Sequence, residues 1–162
     1  MERVGSQRSP RRAAEGDPQL ALDCVNADPS VLTEARHRVG EFAHEIGWPP
    51  DRTTDVLLAT YEALANVVEH AYPPGEQGTF DLLAVYRAED GVLSIVIVDR
   101  GTWRPPSAHN PARRGQGLRL IRALCDSVRV EPRDGGTEIE LQWNIGKPSP
   151  VSLPEREQQV DQ

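Results

Sequence analysis

The sequence predicts a two-layer α/β sandwich, with helices on one face of a mostly antiparallel sheet. Three observations predict it. Residues 29–72 carry apolar positions at helical spacing, broken once by Trp48-Pro49-Pro50. The second half alternates short apolar runs with the turn signals Glu89-Asp90-Gly91 and Asp134-Gly135-Gly136. The resulting order, β-α-α-β-β-loop-α-β-β, groups strands and helices in blocks, which favours segregated layers.

The elements follow from local chemistry. Leu20, Leu22 and Cys24 alternate as in a first strand. Asp28 offers a side-chain cap and Pro29 occupies the first helical position, so a helix starts there. Val31, Ala35, Val39, Phe42 and Ile46 then recur along one face, to about Gly47. Asp51 caps a second helix, which runs to about Tyr72 and is ended by Pro73-Pro74-Gly75. Residues 79–87 and 92–98 read as a strand pair, the second nearly continuous in apolar residues, as in a central strand. Residues 101–114 are polar, proline-rich and without periodicity, the signature of a functional loop or lid. Leu118, Ile121, Leu124 and Cys125 outline a short helix. Residues 127–132 and 137–143 form the last strand pair.

Composition narrows the function. The 162 residues hold 18 Lys and Arg against 25 Asp and Glu, a net charge of −7. A general nucleic-acid binder needs a basic face to neutralise phosphates, so direct nucleic-acid binding is not expected. No apolar run reaches membrane-spanning length. Residues 1–17 carry Arg3, Arg8, Arg11 and Arg12 without a hydrophobic stretch, so they read as a mobile tail rather than a secretory signal. Residues 147–162, rich in Pro, Glu and Gln, read as a second tail, which leaves one domain over residues 18–146. Cys24 and Cys125 form no metal-ligand pattern and read as reduced core thiols of a cytoplasmic protein.

The second helix carries Asp55, Glu62, Asn66, Glu69 and His70 on one face. A solvated face is the default explanation. Against it, no Lys or Arg lies between Thr53 and Tyr72 to supply counter-charges, and Asn66 is a poor helix former. A carboxylate and an amide one turn apart also suit Mg²⁺, which prefers oxygen ligands and retains waters. Downstream, Asp99-Arg100-Gly101 follows the most apolar strand, where an aspartate either starts a turn or meets a ligand. Arg114-Gly115-Gln116-Gly117 opens directly into the short helix, where glycines and the helix N-terminus let backbone N–H groups approach phosphate. Gly136-Thr137 is a hairpin glycine followed by a strand former.

Together these motifs resemble a known family. The run Glu62-Ala63-Leu64-Ala65-Asn66-Val67-Val68-Glu69-His70-Ala71-Tyr72 resembles the N box of GHKL (Bergerat-fold) ATPases, in the version found in anti-sigma-factor serine kinases. Val98-Asp99-Arg100-Gly101 resembles the G1 box, Gly115-Gln116-Gly117-Leu118-Arg119-Leu120-Ile121 the G2 box, and Gly136-Thr137 the last glycine-threonine element. Ala35-Arg36 resembles an Ala-Arg pair of the same branch. The motifs stand in family order and cover most of the chain from Leu20 to Trp143.

The resemblance implies ATP and Mg²⁺ as ligands. Asn66 would hold the Mg²⁺ that bridges the phosphates, and Glu62 would be the general base towards a protein serine. Asp99 would accept a hydrogen bond from the adenine amino group, with Gly101 allowing close approach of the ring. Gly115, Gln116, Gly117 and Leu118 would wrap the phosphates, Thr137 would support the adenine end, and His70 completes the N box. Arg36 would face a protein partner. The implied function is an anti-sigma factor that binds a sigma factor and phosphorylates an anti-anti-sigma protein of the STAS type, with a homodimer through the sheet and first helix allowed. Where the G1 box usually continues to a second glycine, this chain has Trp103, followed by Arg104-Pro105-Pro106. That departure favours an alternative, a non-catalytic ATP-gated binding module. A sensor histidine kinase fits poorly: His37 and His44 lie on the first helix of the domain itself, and no upstream helix pair with a phosphoacceptor histidine is expected.

Overall fold

The structure, a computed structural model, describes residues 13–102 and 116–146. The expectations for residues 1–12 and 147–162, for Gly115 and for Trp103 with the loop that follows it lie outside the described residues. The elements run β1 (Gln19–Asn26), α1 (Pro29–Glu45), α2 (Pro50–Asn66), a π-helical turn (Val67–Ala71), β2 (Thr79–Arg87), β3 (Val92–Asp99), α3 (Gln116–Leu124), β4 (Ser127–Arg133) and β5 (Gly136–Asn144). The five strands form one sheet in the order β1-β2-β3-β5-β4, and every neighbouring pair is antiparallel. The protein is an α/β sandwich of this sheet and the helices packed on one of its faces.

Strand alternation builds the core. Leu82, Ile97 and Ile139 stand side by side across β2, β3 and β5, and so do Ala84, Ile95 and Leu141. All six are buried, beneath Val56, Ala59, Ala63 and Leu64 of α2 and Ala35, Val39 and Phe42 of α1. On α1 the most buried apolar residue of the first turn is Leu32 rather than the expected Val31. The cap is as predicted: Asp28 accepts from the Ser30 N–H at 2.8 Å, with Pro29 following.

One cysteine departs from expectation. The β1–β2 register shifts between Leu22 and Val25, so Val25, not Cys24, resumes the inward pattern. Cys24 takes a positive φ of 52° and is exposed, while Cys125 is half-buried; both are free thiols. The core-thiol expectation therefore fails for Cys24, because a bulge turns it away from the core. Burial and the nearby Asp126 and Asp55 carboxylates push the Cys125 thiol up to about 12, which keeps it protonated.

Two contacts fix the helices lengthwise. Arg52, near the start of α2, donates to the Asn144 carbonyl at 3.2 Å and pairs with Asp126 at 3.3 Å. Trp143, fully buried in β5, donates its indole N–H to the Leu124 carbonyl at 2.8 Å, where α3 ends. The Trp143→Ala substitution removes a core aromatic and frees that carbonyl. It is expected to cost about 3–5 kcal/mol, read as a lower midpoint in urea unfolding.

Candidate functional site

The apolar face of the sheet ends in a polar rung. Continuing the rows of Leu82, Ile97 and Ile139 by two residues brings Phe80, Asp99 and Thr137 into register. Asp99 is only 6 % exposed and Thr137 7 %. The Asp99 carboxylate accepts backbone N–H groups from Gly101, at 3.0 Å, and from Thr137. Desolvation by burial outweighs these donors and holds its pKa above the ordinary value of 3.8. The Thr137 hydroxyl is buried and has no hydrogen-bond partner among the described residues. A buried, under-used acceptor therefore stands beside a buried, unpaired hydroxyl, and two backbone donors leave a carboxylate capacity for a further hydrogen bond.

The end of the N-box helix closes over this rung. Gly101 packs against the Ala71 carbonyl so closely that a methyl group would overlap it. Thr102 donates its N–H to that same carbonyl at 2.9 Å. The π-helical turn just before is a feature often found at functional sites.

A second group assembles about one turn back along α2. A Cβ built on Gly117 would stand 3.5 Å from Asn66 Oδ1 and 3.6 Å from Glu62 Oε2. The start of α3 thus faces both polar side chains across a gap about one methyl wide. Glu62 and Asn66 are half-buried, and Gln116 is exposed. Leu118 turns its side chain to the core, where Ile121 is fully buried, so these two residues anchor α3. The first N–H groups of α3 have no partner within the helix and are available to an anion.

The remaining candidates lie apart from these two groups. His70 is partly exposed and sits 3.6 Å from its neighbour Glu69. Arg36 is exposed on α1 and lines a groove of about 490 Å³ with His37, His44 and Leu57, which belong to neither group. Tyr72 and Gly78 were assigned no role from sequence, yet Tyr72 touches the turn after Asp99 and its ring covers Gly78. The only sequence signals were the motif position of Tyr72 and an isolated glycine before a strand.

Residues 25–143 match the histidine kinase-like ATPase domain. The chain belongs to that family. Within it the sequence falls among serine-protein kinases. It is 30 % identical over 123 residues to the serine-protein kinase RsbW of Oceanobacillus iheyensis, covering 68 % of this chain and 78 % of the relative. It is also 30 % identical over 116 residues to the anti-sigma F factor of Clostridium acetobutylicum, covering 65 % and 79 %. The structure of the RsbU and RsbW domains of a Mycobacterium tuberculosis protein shares the fold, with a TM-score of 0.64 and 24 % identity over 82 % of this chain. The chain spans about a third of that structure, 34 % of its length.

The state of Asp99 predicts a pH dependence. Its raised pKa means that the native chain holds the proton more tightly than the unfolded chain. The stability it contributes is present below pH 3.8 and is lost as pH rises through the higher folded value. Asp99→Asn removes that loss. Its urea midpoint, measured against the parent's between pH 4 and pH 7, is expected to shift in the stabilising direction as pH rises.

Proposed function

We propose that this chain is an ATP-dependent protein serine kinase and anti-sigma factor, which binds a sigma factor and phosphorylates an anti-anti-sigma protein of the STAS type. The observation that carries the proposal is the approach of Gly117, at the start of α3, to both Glu62 and Asn66. A carboxylate, an amide and a helix N-terminus are thereby gathered around one small gap. The relatives named as serine-protein kinases and as an anti-sigma factor support the same reading. Partner switching in the cytoplasm, without direct contact to nucleic acid or membrane, completes it. A homodimer is compatible with this role. No helix among the described residues is long and apolar enough to cross a membrane.

The residues present fit the proposed ligands. The Thr137 hydroxyl and the Asp99 carboxylate offer a donor–acceptor and an acceptor, respectively, to the adenine edge, directly or through water. An aspartate there favours an exocyclic amine and disfavours a carbonyl in the same place. Among the described residues no group of three or more His, Cys, Asp or Glu is placed to hold a metal by itself. The Asn66 amide oxygen beside the Glu62 carboxylate suits Mg²⁺ that would be held through one or two protein oxygens, substrate phosphates and water, with Asn66 as the protein ligand. Mg²⁺ supplies charge neutralisation to the phosphates when bound.

The chain's own residues then have distinct tasks. The α3 N-terminus, with Gly115, Gln116, Gly117 and Leu118, holds the terminal phosphates by backbone N–H groups. Glu62 accepts the proton of the incoming serine hydroxyl as its oxygen bonds to the γ-phosphorus and the bond to the β-phosphate oxygen breaks, releasing ADP. His70 lies one turn further along the N box, and Arg36 contributes to a protein-facing surface on α1.

The test is direct. With γ-labelled ATP, Mg²⁺ and the cognate STAS protein, label is expected on a serine of the partner. Glu62→Gln is expected to lower that transfer by about 10²–10⁴-fold, while ATP still raises Tm as it does for the parent. A STAS partner that binds but acquires no label would overturn the kinase reading. Unaltered partner release by Glu62→Gln in the cell would favour an ATP-gated binding module.

A further inference from the structure

We propose that Tyr72 is a positioning residue for nucleotide affinity: its hydroxyl sets where the turn after Asp99 stands, and through that turn the placement of the Asp99 carboxylate. This rests on the nucleotide-binding reading of the site. The chain leaves the π-helical turn at Tyr72, whose backbone is extended at φ −119° and ψ 144°. The ring lies over Gly78, a buried residue at which a methyl group would overlap the ring atoms. The hydroxyl donates to the Thr79 carbonyl, at the start of β2, and accepts the Arg100 N–H at 2.9 Å. A phenol has one proton to give and lone pairs to receive, so both bonds form at once.

Three consecutive amides after Asp99 are thereby fixed. Arg100 N–H goes to the Tyr72 hydroxyl, Gly101 N–H to the Asp99 carboxylate, and Thr102 N–H to the Ala71 carbonyl. Two of the three partners belong to adjacent residues at the end of the N-box helix. The Arg100 side chain reaches the other way, to the Thr79 hydroxyl at 3.2 Å and to Asp81 at 2.5 Å. That ion pair is about half exposed, and screening by solvent limits how firmly it holds the turn. The tyrosine hydroxyl is part-buried and ties together three elements: the helix end, the start of β2 and the turn after β3.

Tyr72→Phe keeps the ring over Gly78 and removes both hydroxyl bonds. Because Tyr72 acts at the adenine end, the Kd values for ATP and for ADP are expected to rise by the same factor. That factor is about three- to tenfold, the size of one net hydrogen bond. KM for ATP rises with them, while kcat at saturating ATP stays within about twofold, as expected when ground-state and transition-state binding weaken equally. Gly78→Ala adds a methyl that overlaps the Tyr72 ring and displaces it, and is expected to weaken ATP and ADP alike, with retained folding checked by its urea midpoint. Unchanged Kd values in folded Tyr72→Phe, or a fall in kcat with KM unchanged, would overturn the proposal. If the parent chain binds neither ATP nor ADP, the nucleotide reading itself fails and this inference falls with it. If the parent binds both and Tyr72→Phe binds them equally well, only the role of Tyr72 is refuted.

Discussion

The site depends on one buried carboxylate placed where an apolar sheet face runs out. Asp99 shares its rung with Phe80 and Thr137, two residues beyond the row of Leu82, Ile97 and Ile139. Burying a charge there is unfavourable, and the two backbone donors offset the cost only in part. A sheet filled purely for stability would place another aliphatic residue at this point. The chain instead keeps a polar group in a place that is still fully walled by secondary structure, and the wall gives the group a fixed direction. The unpaired hydroxyl of Thr137 beside it has the same character. Both groups keep hydrogen-bonding capacity that the described residues do not use.

The second dependence is on α2 and the π-helical turn that continues it, which together reach both ends of the site. Glu62 and Asn66 face α3 from its last turns, and Ala71 and Tyr72 hold the turn after Asp99. Residues from α2, the π-helical turn and Tyr72 just after it therefore reach both the turn that follows the polar rung and the start of α3. Close backbone approach makes this geometry feasible: at Gly101 any side chain would collide with the Ala71 carbonyl. Sequence spacing along the helix thus becomes spatial separation within the site.

Much of the fold was legible because its punctuation is strong. Trp48-Pro49-Pro50 separates two helices, Pro73-Pro74-Gly75 closes the second, and glycine turns separate the later strands. The order of elements follows from those breaks. Asp99 stood out because it ends the most apolar run, and Asn66 because an amide sits badly in a helix. The bulge at Cys24 was not legible, since Leu20, Leu22 and Cys24 alternate perfectly until the pairing with β2 shifts. Nor was the π-helical turn, because Val67-Val68-Glu69-His70-Ala71 continues the helical pattern without a breaker. The bonds of Tyr72 were hidden for a different reason. They join residues 72, 79 and 100, and nothing local in a sequence records a hydroxyl placed between two distant backbone groups.

The bridge from Arg52 to Asn144 and Asp126 has a mechanical consequence. It ties the front of α2 to the end of β5 and to the residue before β4, and the Ala71 and Tyr72 bonds tie the segment's back. A rod tied near each end resists sliding and swivelling over the platform beneath it. The span from Glu62 to the turn after Asp99 is thereby held from outside the candidate site, so a change at either tie reaches those residues without touching them.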